Sequence, residues 1–83
     1  MNNWFVYLLR CADNSLYTGI TTDLERRVDE HNHDNRKGAA YTRGRRPVSL
    51  VYYEAHPSRA EAARREYAIR KMGRLKKEAL IRG

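Results

Sequence analysis

The sequence predicts an α+β domain: a small three-stranded antiparallel sheet flanked by helices, in the order β-β-α-β-α-α. Aromatic and β-branched runs mark the strands, capping signals ahead of apolar stripes mark the helices, and turn residues divide them at short intervals. The 83 residues read as a single domain, 1–83, with no room for a second core.

Trp4–Arg10 is aromatic, β-branched and apolar throughout, the pattern of a strand covered on both faces. Ala12-Asp13-Asn14 is a turn and Leu16–Ile20 a second strand, so the chain opens with a hairpin. A two-residue turn at Asp13-Asn14 puts Tyr7 and Tyr17 on opposite faces, because side chains alternate along a strand. A three-residue loop with Asn14 in the left-handed conformation instead pairs Tyr7 with Gly19 and Leu9 with Tyr17. Both phenols then share one face, and Gly19 leaves space beside the Tyr7 ring. The second register is preferred.

Thr22-Asp23-Leu24-Glu25 reads as a capping box that starts a helix at Asp23. Its apolar stripe holds Leu24 and Val28, and Arg27 and His31 fall on the same stripe. An arginine on an inward face needs a partner. The helix fades after Asn32. Asp34–Pro47 is a long, polar, basic loop carrying glycines, expected to be the most mobile part of the chain. Val48–Glu54 is the third strand. Ser58 and Glu61 form a second capping box, and on the helix they open Ala62, Glu66 and Ile69 lie within about 60° of one another. Glu66 therefore points where the apolar residues point. Gly73 breaks this helix, and Leu75–Ile81 forms a last one with Leu75 and Ala79 inward.

Lysine and arginine total 17 against 10 acids, a formal charge of +7 that favours polyanionic partners. A basic surface that merely solubilises is the plainer reading. Cys11 is the only cysteine, which excludes an internal disulfide and a cysteine zinc cluster and suits a reducing, cytoplasmic setting. It reads as a packed thiol at a strand end. The stretch from Met1 to Trp4 has no signal-peptide character, and the longest apolar run, Trp4–Leu9, is too short to span a bilayer. No membrane partner is expected. His33 and His56 read as surface residues, since none of the histidines has metal-ligand spacing. His31 has two open readings, a helper at a site or a hydrogen-bonded core residue. Tyr41 with Arg43, Arg45 and Arg46 reads either as an arm with one stacking ring and several phosphate contacts or as a solvated loop.

These residues resemble the GIY-YIG nuclease family. Its first motif stands here as Phe5-Val6-Tyr7 and its second as Tyr17-Thr18-Gly19. The stretch from Tyr17 through Asp23-Leu24-Glu25-Arg26-Arg27 to His31 is similar to the family's strand-to-helix segment. Ala63-Arg64-Arg65-Glu66-Tyr67 is similar to the helix that supplies its metal-binding glutamate. The resemblance covers essentially the whole chain. It is closest to a small stand-alone, single-domain bacterial branch, which has a loop similar to Gly38–Pro47. Phe5 and Val6 replace the glycine and isoleucine of the first motif and Thr18 the isoleucine of the second, positions that supply strand packing more than chemistry.

The resemblance implies phosphodiester hydrolysis. Tyr7 would take the proton from water, with Tyr17 orienting the nucleophile or sharing that role. Arg27 would offer its planar donor fork to the phosphate, and His31 would assist. Glu66 would hold a single Mg²⁺ or Mn²⁺. A phenol titrates at about 10, so a tyrosine base needs a lowered pKa, and Arg27 with the divalent ion is expected to supply it. Gly19, Tyr41, Arg43, Arg45, Arg46 and Arg65 are the residues expected to meet nucleic acid, DNA rather than RNA. The leading expectation is a metal-dependent endonuclease acting on structured or single-stranded DNA in repair or recombination. Its rivals are a non-catalytic DNA- or RNA-binding module using the same basic face, and an interaction domain whose protein partner supplies specificity. Arg27 and Glu66 have a plainer reading too, a salt bridge fixing helix to helix. Without an attached DNA-binding domain, affinity would rest on phosphate contacts and fall with salt.

Overall fold

A computed structural model describes residues 3–83; Met1 and Asn2, at the head of the stretch read for a signal peptide, lie outside it. Strands β1 (Trp4–Arg10), β2 (Leu16–Thr21) and β3 (Ser49–His56) form one antiparallel sheet with β1 in the centre, order β2-β1-β3. Helix α1 (Leu24–His33) covers one face. Helices α3 (Arg59–Arg70) and α4 (Arg74–Arg82) cover the other. The expected order is found, with one four-residue helix, α2 (Ala40–Arg43), inside the long loop.

Alternation along β1 divides the core in two. Val6 and Leu8 pack with Ala62 and Ile69 of α3, while Tyr7 and Leu9 join Cys11 and Val48 beneath Leu24 and Val28 of α1. Cys11 is a buried free thiol, as expected of a strand end. The hairpin takes the preferred register. Asn14 sits at φ 70°, Cys11 N–H donates to Ser15 O, Tyr7 pairs with Gly19 and Leu9 with Tyr17.

Four local expectations need correction. The first helix is capped by Asp23, whose side chain accepts from Arg26 N–H, so the cap lies one residue beyond Thr22. The third strand is displaced toward the C-terminus, from Val48–Glu54 to Ser49–His56, with an irregularity opposite Leu8 and Leu9. The last helix turns the other way from the expected one: Leu75 is 84% exposed, Ala79 is exposed too, and Leu80 and Ile81 pack inward. Its apolar residues offer two phases, and a two-pronged ion pair selects one, with Arg10 Nη1 and Nη2 at 2.9 and 2.7 Å from the Glu78 carboxylate.

The fourth concerns Asp34–Pro47, which is tied down rather than loose. Arg46 donates to His31 O and Asp34 O and to the Asn35 side chain. Arg43 donates to Asn35 O, Ala12 N–H to Arg45 O, and Thr42 is fully buried. Basic side chains thus satisfy the carbonyls at the end of α1 and in the loop itself, as buried backbone requires.

Candidate active site

The register brings the phenols together. Tyr7 is buried beside Tyr17, with ring centroids 6.5 Å apart, and both lie against the His31 imidazole at 6.0 and 5.2 Å. Gly19 is required here: a Cβ on it would meet the Tyr7 hydroxyl and lie 2.6 Å from Cζ.

His31 is fully buried and held at both nitrogens. Tyr7 Oη lies 2.9 Å from Nε2 and Thr42 Oγ1 2.9 Å from Nδ1. Thr42 Oγ1 is 3.0 Å from Ala39 O, a group that can only accept, so the threonine proton goes there and its oxygen accepts from Nδ1–H. Nε2 is then bare and accepts from the Tyr7 hydroxyl. The Ala39 amide, 3.5 Å from Nδ1, is too distant to reverse this assignment. Burial, reinforced by Arg27, lowers His31 to about 4, so it is neutral at pH 7. Burial also pushes Tyr7 up to about 12, although Arg27 opposes the shift. Tyr17 is raised by burial too. Desolvation of the sheet face outweighs the one arginine, so Arg27 alone does not supply the lowered phenol pKa expected from the sequence.

Arg27, on the inward stripe of α1, finds its partners locally, 2.9 Å from Glu30 Oε1 and 2.6 Å from Lys37 O. It makes no ion pair with Glu66, so the helix-to-helix salt bridge is not formed. Glu66 stands half-buried on α3 with neither a hydrogen bond nor an ion pair among the described residues. It lines a cavity of about 320 Å³ with Leu16, Tyr17, Thr18, Tyr41, Arg70 and Lys77. Its charge acts on Tyr7 and Tyr17, as does that of Arg27, and Tyr17 stands between the cavity and the Tyr7–His31 pair.

The residues expected to meet nucleic acid separate. Gly19 is buried against Tyr7, and Arg46 is spent on the loop. Tyr41 stacks on Tyr17 at 5.8 Å, and Arg45 lies over the Tyr41 ring at 4.0 Å while bonding Asp13, so an exposed arm with a free ring is not what the chain forms. Arg43 remains exposed at the loop surface. Arg65 lies at the opposite edge of the sheet, 2.7 Å from Glu54. His33 is exposed beside Asp29, whereas His56 is half-buried against Glu54 rather than at the surface.

Sequence reasoning missed Thr42, Arg70 and Lys77. Arg70 had a signal, one helical turn after Glu66. Thr42 and Lys77 had none, since the first depends on the loop path and the second on the rotation of α4.

Among the described residues no group of three or more histidine, cysteine, aspartate or glutamate side chains could hold a metal ion. The unpartnered carboxylate of Glu66 beside a cavity still suits a hard divalent cation, which binds through one or two carboxylates and keeps other positions for water and phosphate.

Residues 3–79 match the family described as the GIY-YIG catalytic domain. The chain is 54% identical over 79 residues to the UPF0213 protein DP2720 of Desulfotalea psychrophila, covering 95% of this chain and 71% of that one. To the UPF0213 protein VNG_2274C of Halobacterium salinarum it is 53% identical, covering 92% and 96%. Among solved structures it is similar to the UPF0213 protein BH0048 of Bacillus halodurans, with 51% identity, 95% and 82% coverage and a TM-score of 0.59. It is also similar to protein EF2693 of E. faecalis, with 38% identity, 99% and 85% coverage and a TM-score of 0.66.

Proposed function

The chain belongs to the GIY-YIG family, and we propose that it is a divalent-metal-dependent endonuclease hydrolysing phosphodiester bonds in DNA at structured or single-stranded sites, such as those of repair and recombination. The observation that carries this reading is a Glu66 unpaired among the described residues, at a cavity it shares with Tyr17, whose ring lies against Tyr7 and His31. GIY-YIG nucleases are in general dependent on a divalent metal. Glu66 would hold Mg²⁺ or Mn²⁺, which when bound supplies positive charge against the phosphate oxygens.

Arg27 keeps donors for a non-bridging oxygen, where charge grows as the phosphorus is attacked. Tyr7 begins protonated. It takes a proton from the attacking water as its own passes along the existing bond to His31 Nε2, leaving an imidazolium on Nδ1–H···Thr42. The water oxygen bonds to phosphorus, the P–O3′ bond breaks, and the departing oxygen takes a proton from solvent. An imidazolium is costly in this buried place, and a phosphate beside Arg27 offsets part of that cost. Tyr17, tilted against both rings, orients the nucleophile.

The raised pKa of Tyr7 favours a second reading, a binding module without catalysis. Labelled single-stranded, duplex and branched DNA incubated at low salt with Mg²⁺ or Mn²⁺ separates the two. Scission that disappears in Glu66→Ala and with EDTA supports the nuclease. Salt-sensitive binding without scission, indifferent to chelation, supports the binding module.

A further inference from the structure

We propose that the cavity carries a second phosphate subsite, in which Arg70 and Lys77 hold a backbone phosphate adjoining the one that is cleaved. The inference rests on the nuclease reading and extends its site along the nucleic-acid chain.

Eight of the 17 basic side chains are already engaged. Arg10, Arg26, Arg27, Arg45, Arg65 and Arg74 pair with acids, and Arg43 and Arg46 bond backbone carbonyls. Arg70 and Lys77 come from different helices, line the same cavity and have neither an ion pair nor a hydrogen bond among the described residues. Lys77 lies half-buried on the inward side of α4, in sequence between Arg74 and the packed Leu80 and Ile81. Two cations converging on one space repel each other, and an anion between them removes that cost.

The opposite wall supplies neutral donors. The Cys11–Ser15 bond sets the phase of the hairpin, so Tyr17 and Gly19 exchange backbone bonds with β1. Leu16 and Thr18 then turn their backbone groups outward at the free edge of β2, and both residues line the cavity. The Thr18 hydroxyl is buried, with the residue 7% exposed, and its oxygen has no partner among the described residues. Cations on one side and edge donors on the other suit the non-bridging oxygens of a phosphodiester.

Glu66 on the same wall argues against a small free anion, which its carboxylate would repel. A tethered chain avoids the conflict, placing one phosphate beside the divalent ion that Glu66 would hold and the next by Arg70. On α3 these residues are one turn apart, about 5–6 Å between Cβ atoms, comparable to a nucleotide step.

The test uses the full chain. Binding of a single-stranded oligonucleotide is measured against salt in Glu66→Gln with EDTA, where no cleavage is expected, with and without Arg70→Gln and Lys77→Gln. Loss of the one phosphate contact that the two cations share should flatten the slope of log K against log salt by about 0.7. Cleavage is then measured with wild-type Glu66 on oligonucleotides carrying one neutral methylphosphonate at successive linkages. A substitution next to the scissile bond should depress cleavage in the parent protein and add no further loss in the Arg70→Gln/Lys77→Gln variant. Melting curves check that the variants fold, and Arg70→Lys should restore part of the slope. An unchanged slope overturns the subsite. So does a flattened slope with no position-specific effect, which would mean diffuse surface charge. A parent protein that cleaves nothing overturns the nuclease reading and this inference with it, and is told apart because the loss does not depend on Arg70 or Lys77.

Discussion

Two glutamates at opposite edges of the sheet have opposite surroundings. Glu54 on β3 accepts from Tyr52 Oη, from Arg65 at 2.7 Å and from His56 at 2.8 Å. Burial alone would raise its pKa, but Arg65, Tyr52 and His56 outweigh it and hold the carboxyl at about 2. Among the described residues Glu66, half-buried near the β2 edge, has no partner and faces a cavity with two unpaired cations. The same residue type near tyrosines and arginines thus does different work. A carboxylate whose oxygens are all engaged joins α3 to the sheet, whereas one left free keeps its oxygens for something that arrives.

The comparison breaks most sharply on exchange of the two acids. Glu66→Ala should abolish cleavage, by 10³-fold or more on the order expected for an essential group, and leave the melting temperature nearly unchanged. Glu54→Ala should preserve cleavage but cost about 1–3 kcal/mol, since Arg65 loses its partner. At this size that is a melting shift of about 4–8 °C per kcal/mol. Calorimetry beside a cleavage assay measures both.

Next in size is Arg27→Lys. The charge stays and the planar fork goes, so cleavage should fall on the order of 10²-fold with modest loss of stability, because Glu30 keeps a cation nearby.

The two regions should also separate by pH. His31 is lowered from 6.5 to about 4 in the folded state, so its contribution is complete above 6.5 and lost as pH falls toward 4. Its size is about 3 kcal/mol at most. Glu54, lowered from 4.5 to about 2, contributes fully above 4.5 and is lost as pH falls toward 2. Urea midpoints across pH should show both declines, with His31→Gln flattening the upper window and Glu54→Gln the lower.

The last effect is steric and bears on stability alone. Gly19→Ala drives a methyl into the Tyr7 ring and should cost about 1–3 kcal/mol, read as a lower urea midpoint. If the methyl were accommodated without loss, the tight packing of the phenols would be contradicted.

Much of this was legible in the residues. Asn14 and the alternation on both strands specified the register, and through it the shared face of Tyr7 and Tyr17. Ser58 and Glu61 announced α3 and thereby the inward side of Glu66. What stayed hidden depends on contacts distant in sequence. The rotation of α4 follows from Arg10 meeting Glu78, and Leu75 alone suggests the wrong face. The order of the long loop follows from arginines bonding carbonyls, a use that composition does not distinguish from binding phosphate. The raised pKa of Tyr7 needs the depth of its burial, which no local pattern states.

The most direct test of the free-carboxylate claim is Mn²⁺ titration of the isotope-labelled protein, following paramagnetic broadening of its amide signals. Broadening should centre on Glu66 and the facing residues of β2, spare Glu54, and vanish in Glu66→Ala while persisting in Glu54→Ala. Broadening centred elsewhere, or unaffected by Glu66→Ala, would contradict the assignment of Glu66 as the carboxylate kept free for a divalent ion.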